Sequence, residues 1–346
     1  MKTLNFGIVG AGLIADFHAN AVKSIPNAKL VGCCDVVSEK AQALVDKYGG
    51  RAFKDYEELV GCDDIDIITV ATPSGFHAEP TIAAAGAGKH VICEKPLDVT
   101  LERIDAMMAA HEKAGTVLGG IFPCRFNDAI VPLREAIQSG RFGTITYAGV
   151  YVPWWRTEEY YKDSWHGTWK LDGGGALMNQ SIHMIDMLCH LMPTIESVQA
   201  YMETRGHPQI EAEDTAVVSV RFVDGTLGII YGTSASWPGR YRRFEITGTK
   251  GTVVYKEDIF TMWEFLDKKP EDEEIRRKYC QINTGGGVND PGTIPYENHT
   301  RNFRAFLDSL ETGKEFCISA PEARRTVEVI LGIYESARTG RMVKLG

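Results

Sequence analysis

The sequence predicts an α/β domain with a parallel sheet, followed by an α+β domain with a mostly antiparallel sheet. Three observations lead to this prediction. At 346 residues the chain is long enough for two domains of ordinary size. In its first third, short apolar runs alternate with amphipathic stretches, which is the pattern of βαβ units. After residue 122 the pattern changes to a helix, a strand and then several strands separated by turn signals.

The strands of the first domain are predicted as short apolar runs and its helices as the amphipathic stretches between them. The run Ile67-Ile68-Thr69-Val70-Ala71 is almost continuously apolar, as expected for a strand buried on both faces of a parallel sheet. The predicted strands are 4–9, 28–34, 67–71, 90–93 and 117–122, and the predicted helices are 13–24, 39–48, 76–87 and 100–114.

The second domain contains an aromatic segment between Trp154 and Trp169, then Gly173-Gly174-Gly175 at the start of a helix. Turn signals such as Asp224-Gly225 separate its later strands. Its predicted elements are a helix at 127–138, a strand at 144–152, a helix at 176–191, strands between 195 and 266, an extended loop at 267–293, and helices at 296–312 and 321–338. We place the domains at 1–123 and 124–346, with the C-terminal helix as a segment that can return to the first domain.

Composition and charge exclude several classes of partner. The net charge is −9 and the isoelectric point is near 5.6, whereas nucleic-acid binding requires a basic surface. No apolar run reaches the ~18 residues of a membrane span, and the first residues lead straight into a predicted strand. We therefore expect a cytoplasmic protein without membrane or nucleic-acid partners. The eight cysteines form no Cys-x-x-Cys pair, so no metal site is predicted.

A glycine-rich turn joins the first predicted strand to the first predicted helix. Its sequence, Gly10-Ala11-Gly12-Leu13-Ile14-Ala15, matches the dinucleotide-binding pattern G-x-G-x-x-A. Gly10 permits a tight turn, and Gly12 lets the backbone approach a pyrophosphate without a Cβ clash. The amides of Leu13 and Ile14 belong to the helix N-terminus, where the positive end of the dipole favours phosphates. We predict a Rossmann-type dinucleotide site here.

Asp35 favours NAD over NADP as the dinucleotide. It lies at the end of the second predicted strand, 20 residues after Ala15. A carboxylate at this position accepts hydrogen bonds from the ribose hydroxyls and repels a 2′-phosphate. NADP sites usually carry Arg or Lys at or just after this position, whereas Val36, Val37 and Ser38 follow here.

Polar residues follow two further strands of the predicted parallel sheet. Thr72, Ser74 and His77 come after the strand 67–71, and Glu94 and Lys95 come after the strand 90–93. Ligands of open α/β sheets bind at the carboxyl ends of the strands, so these residues are candidate cofactor contacts.

Together, the motifs G-A-G-L-I-A, A-T-P-S-G-F-H, C-E-K-P and G-G-G-A-L-M-N-Q-S-I-H-M-I-D resemble those of the glucose-fructose oxidoreductase, inositol dehydrogenase and rhizopine-catabolism family, Gfo/Idh/MocA. The match covers essentially the whole chain in the same order. It implies a Rossmann domain with an open-faced sheet domain, and NAD(P)-linked oxidation or reduction of a sugar or polyol hydroxyl. It also implies a homo-oligomer, dimer or tetramer, that packs through the sheet of the second domain.

The resemblance assigns catalytic roles to three residues. Lys95 matches the lysine of the family's E-K-P motif, which contacts the substrate hydroxyl near the nicotinamide. His183 matches the usual acid/base histidine, and Asn179 falls where many members have aspartate. Positions i and i+4 share one helix face, so Asn179 and His183 can meet the same substrate, and Asp186 can orient His183. Because asparagine cannot form a carboxylate–imidazole dyad, both His183 and Lys95 remain candidates for the base.

Other residues are candidates for cofactor and substrate contact. His77 and Arg125 are candidates for contact with the cofactor, and each can equally be structural. The aromatic segment contains Trp155, Arg156, Tyr161 and Trp165, which are candidate substrate contacts together with Asn179 and His183. Aromatic faces stack on sugar rings, although aromatic residues are also common in protein interfaces.

The sequence therefore predicts an NAD-dependent dehydrogenase for a secondary hydroxyl or keto group of a sugar, glycoside or polyol. One alternative is an NAD-dependent glycosidase that works by transient oxidation at C3 and elimination. Another is a non-catalytic regulator that senses a sugar and the dinucleotide, against which the presence of both Lys95 and His183 argues.

Overall fold

The computed structural model describes residues 3–280 and 296–346, which form two compact units. The first unit takes residues 3–123, 170–173 and 296–327, and the second takes 124–169, 174–280 and 328–346. Each unit is built around its own sheet, one parallel and one mostly antiparallel. The predicted fold class is confirmed.

The described strands of the first unit form a six-stranded sheet in which every neighbouring pair is parallel. They are β1 (Leu4–Val9), β2 (Ala28–Cys34), β3 (Arg51–Phe53), β4 (Ile67–Val70), β5 (His90–Cys93) and β6 (Leu118–Gly120). Their order is β3-β2-β1-β4-β5-β6. This order reverses direction between β1 and β4, and such sheets bind ligands at the strand ends beside the reversal.

The helices between these strands are α1 (Leu13–Lys23), α2 (Ser38–Tyr48), α3 (Tyr56–Val60), α4 (Ala78–Gly86) and α5 (Leu101–Ala114). A short 3₁₀ turn, Ser74–Phe76, precedes α4. The predicted helices are confirmed to within about two residues at each end. β3 was absent from the predicted strands because three residues, two of them exposed, show no apolar pattern.

In the second unit, eight described strands form one sheet. They are β7 (Ile145–Pro153), β8 (Ile195–Glu203), β9 (Thr215–Phe222), β10 (Leu227–Thr233), β11 (Arg243–Gly248), β12 (Gly251–Lys256), β13 (Ile259–Phe265) and β14 (Val343–Lys344), in the order β13-β12-β11-β7-β10-β9-β8-β14. Only the central pair of β7 and β10 is parallel among these neighbours. Side chains of β9 alternate between buried and exposed, so one face of the sheet is covered and the other is open.

Four helices of the second unit are α6 (Ile130–Gln138), α7 (Glu158–Tyr161), α8 (Ile182–Leu191) and α9 (Pro270–Tyr279). A π-helical turn, Ala176–Ser181, runs directly into α8. The predicted helix at 176–191 is therefore present, but its first six residues have the wider π spacing.

Helix α9 contradicts the extended loop predicted at 267–293. Among its residues only Asp272 is buried, so the sequence lacks the apolar stripe by which helices are recognised. The Asp272 carboxylate instead accepts hydrogen bonds from the Lys269 N–H (2.8 Å), the Arg141 guanidinium (2.7 Å) and Nε1 of Trp263 (2.7 Å). These polar contacts anchor the helix. The rest of the predicted loop, 281–293, lies outside the described residues.

The last helices are α10 (Glu297–Thr312) and α11 (Ala320–Thr339), as the sequence predicted. Within the first unit, the ring of Phe303 on α10 lies 6.0 Å from the Phe6 ring and 5.2 Å from the His18 ring. The Asn302 side chain accepts a hydrogen bond from the Phe122 N–H at 3.0 Å. None of the helices described in 3–280 and 296–346 is long and apolar enough to cross a membrane.

Candidate functional site: a dinucleotide cradle and a polar helix start

The glycine turn after β1 begins at Gly10, which has a φ of +94°. A Cβ at this position would lie 2.7 Å from the carbonyl oxygen of Ala71, at the end of β4. The Gly10 N–H also donates to the Cys34 carbonyl, at the end of β2, at 2.8 Å. Glycine is therefore required at position 10 by the backbone conformation and by the close approach of a neighbouring strand.

Gly12, unlike Gly10, is not required by the protein around it. Its backbone is extended, and a Cβ there would meet no protein atom within 4 Å. The surrounding protein therefore tolerates a side chain, and the open space lies directly before the N-terminus of α1. Leu13 is 62 % exposed, whereas Ala15 is fully buried against the sheet. An open glycine, followed by free amides at a helix start, fits a dinucleotide pyrophosphate.

The Asp35 carboxylate is held in place by two backbone N–H groups. Ala11 donates to Oδ2 at 2.7 Å, and Val37 donates to Oδ1 at 2.8 Å. Each carboxylate oxygen has a further lone pair that can accept a ribose hydroxyl. Val36 next to it is fully exposed, and we did not single it out in the sequence as a contact.

His77 connects the loops that follow β4 and β5. Its Nε2 lies 2.9 Å from the Thr72 carbonyl oxygen, and its Nδ1 lies 2.8 Å from the Pro96 carbonyl oxygen. The ring is 1 % exposed. Ser74 is also buried, whereas Thr72 is half-buried at the strand end. These two contacts give His77 a positioning role for the loop that carries Lys95.

Glu94 and Lys95 follow β5 directly, and the Lys95–Pro96 peptide bond is cis. The Glu94 carboxylate is turned into the unit: Oε1 lies 2.9 Å from Nε2 of His18, and Oε2 accepts the Lys95 N–H at 3.0 Å. Burial opposes ionisation of Glu94, but the His18 hydrogen bond and nearby positive charges outweigh it and lower the pKa of Glu94 to about 2. Lys95 is half-buried. Within the first unit, the predicted cofactor residues thus lie at the carboxyl ends of four adjacent strands, β2, β1, β4 and β5.

Asn179 and His183 lie in the second unit, on either side of the junction between the π turn and α8. Both are half-buried, and the three residues between them are buried. Both side chains are therefore partly accessible, and their contact with one substrate stays a prediction.

The Asn179 side chain belongs to a polar network at the π turn. Its Oδ1 accepts a hydrogen bond from Nε2 of Gln180 at 3.0 Å, and its Nδ2 lies 3.3 Å from Nδ1 of His166. Gln180 also donates to the Tyr160 hydroxyl at 3.0 Å, and the Tyr160 ring stacks on His166 with centroids 4.4 Å apart. The network joins the helix start to the aromatic segment.

Arg125 and Asp186 form a buried bidentate ion pair in the second unit. Nε and Nη2 of Arg125 lie 2.8 and 2.7 Å from the two carboxylate oxygens, and both side chains are almost completely buried. Removing one partner from such a pair typically costs about 3–5 kcal/mol. This geometry gives both residues a structural role, which was one of the two interpretations of Arg125.

Of the four predicted substrate residues in the aromatic segment, Arg156 and Tyr161 are buried. The Arg156 guanidinium lies over the rings of Trp154 and Tyr160, 4.9 and 5.6 Å from their centroids. The Tyr161 hydroxyl donates to Oγ of Ser234 at 2.8 Å. These contacts fix the segment. Its other two predicted residues, Trp155 and Trp165, are half-buried.

Trp237 is an exposed aromatic residue beside Trp155 that we did not single out from the sequence. It is 76 % exposed, and the two indole rings meet edge to face at 5.7 Å. Its loop is held by backbone hydrogen bonds from Ser236 to Trp154 (3.0 Å) and from Arg240 to Pro153 (2.8 Å). The loop thus fixes Trp237 in an exposed position.

The described residues, 3–280 and 296–346, contain no group of three or more His, Cys, Asp or Glu side chains arranged to hold a metal ion. The eight cysteines, all within these ranges, are free thiols.

Two family models match the chain. Residues 4–121 match the oxidoreductase family with an NAD-binding Rossmann fold, and residues 130–254 match the GFO/IDH/MocA C-terminal domain. The two matches together cover well over half of the chain. They confirm the family resemblance and NAD as the cofactor.

Two relatives that match this chain over nearly their whole length are named dehydrogenases. The myo-inositol 2-dehydrogenase of Thermotoga maritima is 27 % identical, covering 99 % of this chain and 98 % of the relative. The D-glucoside 3-dehydrogenase of Escherichia coli is 28 % identical, covering 99 % and 97 %. The crystal structure of the WlbA dehydrogenase from Bordetella pertussis in complex with NADH and UDP-GlcNAcA superposes with a TM-score of 0.91 at 33 % identity, covering 100 % and 98 %. The chain belongs to the GFO/IDH/MocA family of NAD-binding oxidoreductases.

Proposed function

We propose that this protein is an NAD-dependent dehydrogenase that oxidises a ring hydroxyl of a nucleotide-linked sugar acid, with UDP-GlcNAcA as the first candidate substrate. The observation that carries the proposal is the 33 % identity over the full chain with a dehydrogenase crystallised with NADH and that compound. The inositol and glucoside dehydrogenases are less similar, at 27 % and 28 % identity. The exposed Trp237, with the half-buried Trp155 beside it, also suits a substrate that carries a nucleobase, because every base has a face that stacks on aromatic rings.

In the proposed reaction, the hydroxyl proton passes to a side chain while the carbon loses a hydride. Bound NAD supplies the hydride acceptor. We propose Lys95 and His183 as the two candidates for the side chain that takes this proton. We propose that the Asn179 side chain forms a hydrogen bond with a hydroxyl of the same substrate.

The remaining contacts divide between cofactor and substrate. We propose that Gly10, Gly12, Asp35, Thr72 and Glu94 with their neighbouring backbone amides shape the NAD site. Trp155 and Trp165 are proposed as direct substrate contacts, while the buried Arg156 and Tyr161 hold the segment that carries them.

A substrate panel tests the proposal. The purified protein, first checked for bound dinucleotide, is mixed with NAD+ and with UDP-GlcNAcA, UDP-GlcNAc, myo-inositol or a methyl glucoside, and NADH formation is followed by absorbance. We expect the highest kcat/KM with UDP-GlcNAcA. Oxidation of inositol or a glucoside, with no reaction of either UDP-sugar, would overturn the substrate class.

The same panel separates the two alternative functions. Release of UDP or of the glycoside's alcohol, with no accumulation of NADH, would indicate the glycosidase. Binding of a sugar without turnover of any panel member would indicate the sensor.

We also propose that the protein is a homo-oligomer that assembles through the open face of the second unit's sheet. Four large apolar side chains on three neighbouring strands are exposed on the protomer: Tyr201 of β8, Val217 of β9, and Leu227 and Ile229 of β10. An apolar patch of this kind is typical of a protein interface.

A further inference from the structure

Glu213 is a buried carboxyl group at the start of the helix that carries Asn179 and His183. It is 2 % exposed and lies two residues before β9. Three donors converge on its carboxylate. The Gly175 N–H donates to Oε2 at 3.0 Å, the Leu177 N–H donates to Oε1 at 2.7 Å, and the Tyr334 hydroxyl donates to Oε1 at 3.0 Å.

The backbone of Glu213 also binds the start of the π turn Ala176–Ser181. Its carbonyl oxygen accepts the Ala176 N–H at 2.9 Å. Three successive N–H groups, those of residues 175, 176 and 177, are therefore bound by one residue. The first amides of a helix have no partner within the helix, and a negative charge beside them is favoured by the helix dipole.

The glycine run makes room for this arrangement. A Cβ on Gly175 would overlap the Glu213 carbonyl oxygen, and a Cβ on Gly174 would overlap the Tyr334 hydroxyl. The glycines thus permit the close approach of Glu213 and Tyr334 to the start of the turn. Gly174 and Gly175 therefore serve close packing against Tyr334 and Glu213.

The bound turn leads directly to the proposed catalytic residues. The Asn179 N–H donates to the carbonyl oxygen of Gly175 at 3.0 Å, so the residue that Glu213 binds through its N–H also anchors the backbone of Asn179. Helix α8, with His183 as its second residue, begins at the end of the same π turn. A displacement of Gly175 would therefore be transmitted along the helix to both residues.

We propose that Glu213 is a positioning residue for catalysis, which fixes the π turn so that Asn179 and His183 point at the substrate. This inference rests on the proposed function of those two residues. Glu213 itself does not touch substrate or cofactor in this role. Glutamine cannot make the same contacts, because its side chain has only one acceptor oxygen. Its NH₂ group, which is a donor, would face the N–H of either Gly175 or Leu177.

The test compares Glu213→Gln with Tyr334→Phe and with Glu203→Gln, an exposed glutamate at the end of β8 that serves as the matched control. For Glu213→Gln we expect kcat to fall about 100-fold, since small misplacements of catalytic groups cost about this much. The KM for NAD and the dissociation constant of NADH should stay within about twofold of wild type. Tyr334→Phe keeps the carboxylate and both amide hydrogen bonds, so its kcat should fall by less than about tenfold. Glu203→Gln should match wild type in all of these measurements.

Hydrogen exchange gives a second readout that needs no substrate. In Glu213→Gln, the amides of Gly175 and Leu177 should exchange at least about tenfold faster, while peptides from the first unit keep their wild-type rates. Wild-type exchange at these amides together with wild-type kcat would overturn the proposal. A general loss of NADH binding, or an equal loss of kcat in Glu203→Gln, would also overturn it.

If no panel substrate is oxidised by the wild type, the proposed function fails, and the exchange rates still decide whether Glu213 fixes the turn. If Glu213→Gln does not fold, hydrogen exchange in Tyr334→Phe decides, and wild-type exchange at both Gly175 and Leu177 contradicts the role.

Discussion

The N–H of Ala11 donates a 2.7 Å hydrogen bond to the carboxylate of Asp35. This bond joins the glycine turn after β1 to the residue that follows β2, and the Val37 N–H binds the other carboxylate oxygen at 2.8 Å. The carboxylate proposed to select the cofactor therefore also holds the turn that is proposed to bind its phosphates. Selectivity and affinity for the dinucleotide should change together when Asp35 is altered.

Replacing Asp35 by Asn removes the charge and one acceptor oxygen. Because hydrogen bonds to charged groups contribute about 1.5–3 kcal/mol, we expect NADH affinity to fall by about 10- to 100-fold. The affinity for NADPH should fall less, since repulsion of the 2′-phosphate is lost. Fluorescence titration with both reduced cofactors measures this, with Asp46→Asn, an exposed carboxylate of α2, as the control. An unchanged NADPH to NADH affinity ratio would contradict the role of Asp35.

Single-turnover measurements distinguish Lys95 from His183 as the base. Lys95→Met and His183→Ala should each lower the rate of hydride transfer, and loss of a general base typically costs about 10²- to 10⁴-fold. The variant with the larger loss identifies the base. Wild-type rates in both variants would show that the catalytic site has been assigned to the wrong residues.

Removal of the Trp237 ring should weaken binding of a nucleotide-linked substrate. Stacking of a base on an aromatic side chain contributes about 1–3 kcal/mol, so Trp237→Ala should raise the KM for the UDP-sugar by roughly tenfold or more. Trp237→Phe keeps an aromatic face and should raise KM less. The NADH dissociation constant serves as the internal control. Equal KM values for Trp237→Ala and wild type would exclude stacking at this position.

Glu213 should make stability depend on pH. Burial raises its pKa from 4.5 to about 7, against the opposing effect of its hydrogen bonds. The folded state therefore binds the proton more tightly than the unfolded chain does, although the hydrogen bonds reduce this effect of burial, and the resulting stabilisation is complete below about pH 4.5 and is lost as pH rises through about 7. The shift corresponds to about 3 kcal/mol. Urea unfolding at about pH 5 and pH 8 should show that wild type loses this much relative to Glu213→Gln, whereas a constant difference would contradict the raised pKa.

A charge on the open sheet face should disrupt the proposed assembly. Val217 is 51 % exposed in the middle of the apolar patch, so Val217→Lys should weaken association without affecting the fold. Size-exclusion chromatography with light scattering measures the mass of wild type and variant. Ser219→Lys, on the same strand and face, tests how far the patch extends. A monomeric wild type would contradict the assembly.

The order of elements and the cofactor motif could be predicted from the sequence because each depends on local patterns. Gly10, Gly12 and Asp35 have fixed spacing along adjacent strands, and the apolar runs of β1, β2, β4 and β5 are unambiguous. Helix α9 could not be predicted, because it is held by the polar contacts of Asp272 with residues distant in sequence such as Arg141.

Contacts between residues far apart in the chain were harder to predict from the sequence than helices and strands. Glu213 carries no motif, and its importance depends on its approach to Gly175, 38 residues earlier in the chain. The exposure of Trp237 likewise follows from loop hydrogen bonds that the sequence does not specify. The bidentate pair of Arg125 and Asp186 joins residues 61 positions apart, so its geometry could not be read from either motif.

The packing of α10 in the first unit bears on how the chain is synthesised and how it can be divided. Phe303 packs near Phe6 and His18, and Asn302 binds the backbone of Phe122, yet these two residues leave the ribosome about 180 residues or more after β6. Until then, the Rossmann sheet lacks part of its cover, although Phe6 is fully buried in the finished fold. A gene fragment that ends at Pro123 would expose this apolar surface and tend to aggregate. A chimaera that exchanges cofactor specificity with a relative must therefore carry residues 296–327 along with the N-terminal segment.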